Sequence, residues 1–122
     1  MYAIAKRFGF SASHQLANLP EGHPCGRLHG HNYEVEVVLE SAELDAAGFV
    51  VDYRRLDAVK RCLDERLDHR HLNDVVGGQP SAELLARWLF DWCAGHLGPG
   101  IAERLAAVRV SETPRTWSEY RP

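Results

Sequence analysis

From Tyr33 to Leu39 the chain alternates: Tyr33, Val35, Val37 and Leu39 on one parity, Asn32, Glu34 and Glu36 on the other. Successive side chains of a strand point to opposite faces, so this period of two means extended backbone. One face is apolar and the other mostly charged, with Val38 the exception before Glu40, which argues for a strand wet on one side. The pattern requires a sheet, most simply antiparallel, with one face on a core and one face in water. Extended backwards, the apolar parity takes in His31 and His29. Two imidazoles are thus expected to point the way the core side chains point, at the end of the sheet.

Upstream, residues 2–11 read as a second strand, with Tyr2, Ile4, Phe8 and Phe10 on one parity and Lys6 interrupting. His14 shares that parity if the strand continues. A lone His at the end of an apolar run is more often a buried histidine satisfied by backbone, and a lone His-x-His pair is more often surface. Together, three imidazoles from two neighbouring strands fill three of the four positions of a tetrahedral zinc and leave one open, as in a catalytic site. Gly30, between two ligands, leaves the backbone open to close approach. Cys25 lies four residues before His29 in a loop punctuated by Pro20, Gly22, Pro24 and Gly26, near enough in sequence to work beside a metal. Cys62 and Cys93 fall on helical patterns and read as small core hydrophobes.

The rest of the chain completes an α+β order of β-β-α-α-β-β. Leu56, Val59, Leu63 and Leu67 predict an amphipathic helix over 53–67, with Asp52 as its N-cap. Asp68 to Asp74 is too polar to continue it. Ser81 caps a second helix, whose stripe is Leu85, Trp88, Leu89, Trp92 and Cys93 and which Gly98-Pro99-Gly100 stops. Residues 106–113 read as a strand with Val108, Val110 and Glu112 in phase, and Trp117 to Tyr120 as a last short one. A carboxylate in phase with core valines either lies beyond the core edge or binds something. The expected architecture is a four-stranded antiparallel sheet with two helices on one face, in one domain spanning 1–122. Its two open edges call for cover, often from another subunit.

Composition narrows the function. A net charge of −3 over 122 residues argues against a general nucleic-acid or anionic-membrane surface, though a local cationic cluster can still hold a small anion. The 3 cysteines, without a C-x-x-C pair, fit a reducing cytoplasm better than a disulfide framework. No apolar run approaches the about 20 residues of a membrane span, and the first residues lack the apolar stretch of a secretory signal.

Phe10-Ser11-Ala12-Ser13-His14, Cys25-x-x-x-His29-Gly30-His31, Leu67-Asp68-His69-x-x-Leu72-Asn73 and Ser111-Glu112-Thr113 together resemble the 6-pyruvoyltetrahydropterin synthase family, in order and over nearly the whole chain. The three residues between Cys25 and His29 are similar to the queuosine-type branch, which makes 6-carboxy-5,6,7,8-tetrahydropterin. The departures are Pro80-Ser81-Ala82-Glu83, where the family often reads Pro-Thr-Ser-Glu, and the loosely matching tail 114–122. The resemblance implies the tunnelling fold, whose sheets join into an oligomeric barrel, trimer-based and up to a hexamer, with active sites between subunits. It implies zinc on His14, His29 and His31, with 7,8-dihydroneopterin triphosphate as substrate. Cys25 is then a proton acceptor, Asp68 and His69 a proton relay, and Glu112 the holder of the pterin ring and a further member of the relay. A pyruvoyl-type synthase has the same scaffold and a different product. A non-catalytic zinc module would instead close the site with Cys25. The resemblance does not say which of Lys6, Arg7, Arg27, Arg54, Arg55, Arg70 and Arg115 meet the triphosphate.

Overall fold

A computed structural model describes residues 1–122. Two 13-residue strands, β1 (Tyr2–His14) and β2 (His29–Ser41), pair antiparallel along their full length, from Tyr2 opposite Ser41 to His14 opposite His29. β1 thus runs on past residue 11 to His14, because its pairing with β2 continues to that point. A short β3 (Arg70–His71) lies parallel to Ala12 and Ser13 on the free side of β1. On the other side β4 (Leu105–Thr113) pairs with β2 and β5 (Thr116–Tyr120) with β4, giving the order β3-β1-β2-β4-β5. The sheet therefore has five strands rather than four, and one pairing is parallel. The added strand is two residues long and carries no periodicity to read.

The helical layer covers one face. The expected helix over 53–67 is continuous but changes pitch: a 3₁₀ turn at Tyr53–Leu56, α1 (Asp57–Cys62), then a π turn at Leu63–Leu67. Asp52 caps it, accepting from the Arg54 N–H at 2.9 Å. Leu56, Val59, Leu63 and Leu67 are all fully buried. A single turn, α2 (Leu72–Val75), follows β3, and then comes α3 (Ala82–His96). The buried face of α3 is Leu85, Ala86, Leu89, Phe90 and Cys93, with Trp88 and Trp92 at its margin, and it packs on β4 and β5.

Phe8, Phe10, Tyr33, Val35, Val37, Leu39, Val108 and Val110 face these helices as one core. The opposite face carries cross-strand ion pairs: Glu36 accepts from Arg7 at 2.9 Å and from Arg109 at 2.6 Å, and Arg109 also reaches Glu119 at 2.6 Å. Burial opposes ionisation of Glu36, but hydrogen bonds from Arg7 and Arg109 outweigh it and hold the carboxyl below its ordinary value. No helix is long and apolar enough to cross a membrane.

The start of α3 has a second role. Ser81 Oγ accepts from the Leu84 N–H at 3.2 Å, and the preceding Pro80 turns its carbonyl toward His14. Ser81→Ala is expected to cost about 1 kcal/mol, read as a lower urea midpoint with an unchanged slope.

Candidate metal centre

The register of β1 and β2 brings the three histidines together. His14 faces His29 directly, Ala12 faces His31, and all lie on the helix-covered face at the end where the sheet runs out. The rings stand edge to face, with centroids 4.5 Å apart for His14 and His29, 4.8 Å for His29 and His31, and 5.1 Å for His14 and His31. Each offers one nitrogen, and these nitrogens all lie within 4.8 Å of one another. His14 is fully buried.

The outer nitrogens set the tautomers. His14 Nδ1–H donates to the Pro80 carbonyl at 2.8 Å and His29 Nδ1–H to the Arg27 carbonyl at 2.6 Å. In the neutral rings both Nε2 atoms then carry lone pairs. They stand 2.9 Å apart, an arrangement that repels unless a proton or a cation lies between them. His31 Nε2 is buried without a hydrogen-bond partner, a cost of about 1–3 kcal/mol for an orphaned polar atom. One cation facing three bare imidazole nitrogens removes both problems. Backbone carbonyls on the far nitrogens are the usual support of metal-binding histidines. The donor set therefore fits a borderline-soft divalent ion with imidazole preference, such as zinc.

Of the other expected residues, Glu112, Asp68 and His69 share clefts with His31 and Cys25 does not. Glu112 Oε2 lies 3.7 Å from His31 Nε2, so the carboxylate that broke the valine pattern meets the histidines at the end of the core. Burial lowers the His31 pKa most, the neighbouring His14 and His29 lower it further, and the Glu112 charge opposes them. Burial, then Glu112, pushes the Tyr33 phenol up.

Asp68 and His69 are docked on the end of β1. Asp68 Oδ1 accepts from the Ser11 N–H at 2.8 Å, and the His69 N–H donates to the Ser11 carbonyl at 2.6 Å. The other Asp68 oxygen lies 2.9 Å from His69 Nδ1. The Ser11 N–H, and next His69, hold the Asp68 carboxyl below its ordinary value. His69 has φ +57°, a left-handed conformation uncommon outside glycine, and its ring is 83% exposed. Nδ1–H faces Asp68, so Nε2 is the basic nitrogen, turned to solvent.

Two clefts meet at Ser11, Gly30, His31 and Asn32. One, of about 530 Å³, includes His69, Arg70 and His71; the other, of about 1020 Å³, includes Asp68, Glu112 and Trp117. Gly30 borders both, and a β-carbon there would stand 3.2 Å from the Ala12 carbonyl oxygen, so tight strand pairing is a second reason for glycine. Cys25 sits exposed on a 3₁₀ turn, Pro24–Gly26, lines neither cleft, and is not in the three-nitrogen donor group. Sequence reasoning missed Tyr33, whose oxygen lies 3.2 Å from His14 Nδ1, and the Pro80 and Arg27 carbonyls. Tyr33 read simply as core, and backbone acceptors leave no residue-type signal.

Three imidazoles at the end of an α+β sheet, beside a carboxylate and an open cleft, form a group that could hold a metal ion. The chain belongs to the family described as 6-pyruvoyl tetrahydropterin synthase, whose pattern matches residues 3–122. It is 36% identical to the 6-carboxy-5,6,7,8-tetrahydropterin synthase of Synechocystis, covering 98% of this chain and 93% of that one. It is 28% identical to the enzyme of the same name in Bacillus subtilis, over 99% and 86% of the two chains. Among solved structures, an uncharacterised protein of Wolinella succinogenes superposes with a TM-score of 0.87 at 25% identity, over 98% and 97% of the chains. The 6-pyruvoyl tetrahydropterin synthase of Caenorhabditis elegans has the same fold, with a TM-score of 0.85 at 24% identity over 99% and 95%.

His29→Ala and His31→Ala are each expected to lose most bound zinc by elemental analysis while keeping helical circular dichroism; full zinc in both variants would remove the site. Burial disfavours the His31 imidazolium, so in the metal-free protein the unfolded chain takes that proton first. Stability of the metal-free wild type is therefore expected to fall as pH drops through the ordinary imidazole range, in thermal melts on His31→Gln less steeply than on wild type.

Proposed function

We propose that the protein converts 7,8-dihydroneopterin triphosphate and one water into 6-carboxy-5,6,7,8-tetrahydropterin, acetaldehyde and triphosphate, with zinc on His14, His29 and His31, in the cytoplasmic route to queuosine. The observation that carries this reading is the donor set: three imidazoles with their free nitrogens turned to one point, and Glu112 3.7 Å from the third. The names of the Synechocystis and Bacillus relatives support the 6-carboxy product, as does the three-residue spacing from Cys25 to His29.

Zinc, when bound, polarises side-chain oxygens of the substrate and favours the thiolate of a nearby cysteine. The chain's own residues do the rest. Glu112 accepts the N–H and exocyclic NH₂ of the pterin edge as a pair, as a carboxylate accepts a guanidinium. Cys25 lines neither cleft of its own chain; exposed on the turn before β2, it takes a proton from the substrate side chain in a site completed by a neighbouring copy. His69 presents Nε2 as the shuttle nitrogen, and Asp68 orients it through Nδ1. Asp68 is anchored by the Ser11 N–H, so the pair is pre-set on the end of β1. The 83% exposure of His69 and the long unpaired edge of β1 support a site completed by a neighbouring copy in a homo-oligomer.

A closed, purely structural zinc site is disfavoured because the donor group has three members and Cys25 is not one of them. Incubation of zinc-loaded protein with 7,8-dihydroneopterin triphosphate tests the reading. Acetaldehyde and triphosphate in equal amounts are expected; triphosphate release with a pyruvoyl product and no acetaldehyde would replace it with the sister activity. Asp68→Asn keeps an acceptor for the Ser11 N–H but turns an NH₂ toward His69, forcing the proton to Nε2. It is expected to keep zinc and fold and to lose about 10²–10⁴ in kcat; an unchanged kcat would remove the relay. Cys25→Ala is expected to keep zinc and lose turnover to a similar degree, whereas loss of zinc and stability together would make Cys25 a ligand.

A further inference from the structure

We infer that Arg70 and His71 form the anion-binding end of the site, holding the triphosphate of the substrate in the cleft that β3 makes with β1. The inference rests on the pterin triphosphate reading above and names the cations that serve it.

Three of the seven candidate cations are already engaged. Lys6 holds Asp57 at 3.0 Å, Arg7 holds Glu36 at 2.9 Å, and Arg54 holds Asp52 at 2.7 Å. Arg27, Arg55, Arg70 and Arg115 hold no carboxylate. Of these four, only Arg70 lines a cleft that also contains His31. Arg27 borders a separate hollow formed by the loop from Leu16 to Gly26.

Arg70 spends one N–H on the Glu65 carbonyl, at 3.2 Å. That tether holds Arg70 where it also borders a shallow hollow lined by Glu65, Arg66, Asp74 and Val75, and leaves most of its five donors unused. Its backbone is set by pairing with Ala12, and that of His71 by pairing with Ser13. His71 Nδ1 lies 2.9 Å from Ser13 Oγ. When the Ser13 hydroxyl donates to Nδ1, the ring proton moves to Nε2 and makes it a donor. The same cleft contains no carboxylate: its lining is Ser11, Ala12, Ser13, Gly30, His31, Asn32, His69, Arg70 and His71. A cleft with a guanidinium, imidazoles and hydroxyls, and no acid, suits a polyphosphate.

The position agrees with one extended ligand. The two clefts share Ser11, Gly30, His31 and Asn32, with Glu112 in the larger and Arg70 in the smaller. Gly30 is the crossing point, and it has no side chain to block it. A ring held at Glu112 thus places a three-carbon tail past His31 and its phosphates toward β3.

The test uses the zinc-loaded protein and two probes, inorganic triphosphate and phosphate-free neopterin, by calorimetry. Arg70→Gln is expected to weaken triphosphate about 10- to 100-fold, the worth of charged hydrogen bonds, to raise KM for the substrate by a similar factor, and to leave neopterin affinity and the thermal midpoint unchanged. His71→Asn is expected to weaken triphosphate by a smaller factor. Arg61→Gln, on the helical layer, is expected to change neither probe. Triphosphate affinity unchanged in Arg70→Gln, or neopterin weakened equally, would overturn the inference. Failure of the wild type to turn over dihydroneopterin triphosphate would instead reject the proposed reaction, a separate reading from the triphosphate titration.

Discussion

The pairing register of β1 with β2 is the constraint on which the rest of the molecule depends. His14 opposite His29 and Ala12 opposite His31 put three imidazoles on one face. A one-residue slip would send every β2 side chain to the other side of the sheet. Both faces resist it. On the core side it would expose Tyr33, Val35, Val37 and Leu39, all at 1% exposure or less. On the other side it would separate Glu36 from Arg7 and Arg109. The long apolar alternation thus acts as a ruler that delivers the histidines to a fixed place, one strand-end beyond the core. The three histidines sit on paired strands, where small shifts are costly, rather than on a loop.

Protonation at that place follows from backbone alone. Pro80 and Arg27 offer carbonyls to the far nitrogens of His14 and His29, so the near nitrogens are bare in the neutral rings. Pro80 is in position because Ser81 caps α3, and α3 is in position because its buried stripe lies on β4 and β5. A cap at the start of a helix is in this way connected to the tautomer of an imidazole on a strand. The same logic governs His69. Asp68 is bound to the Ser11 N–H, and the His69 N–H to the Ser11 carbonyl, so one residue of β1 anchors Asp68 and His69 together.

Strand β2 and the facing of His29 and His31 were legible because one buried face makes a period of two unmistakable. His14 was legible only in company, since a single histidine in phase with Phe8 and Phe10 has a bland explanation. Glu112 was visible as a conflict, a carboxylate on the valine parity, and the conflict is resolved by its 3.7 Å approach to His31. Strand β3 was not legible: two residues carry no period, and what places them is the docking of Asp68 and His69 on Ser11, 57 residues away for Asp68. The π turn at Leu63–Leu67 was hidden because a spacing of four between buried leucines serves an α or a π turn equally. The fifth strand and its parallel pairing follow from that same long-range docking.

X-ray absorption at the zinc edge of the loaded protein tests the three-imidazole centre most directly. Three ring nitrogens and an open position filled by water predict nitrogen and oxygen neighbours at about 2.0–2.1 Å, the outer-shell pattern of three imidazoles, and no sulfur. A sulfur neighbour at about 2.3 Å, or a shell with fewer than three imidazoles, would contradict it.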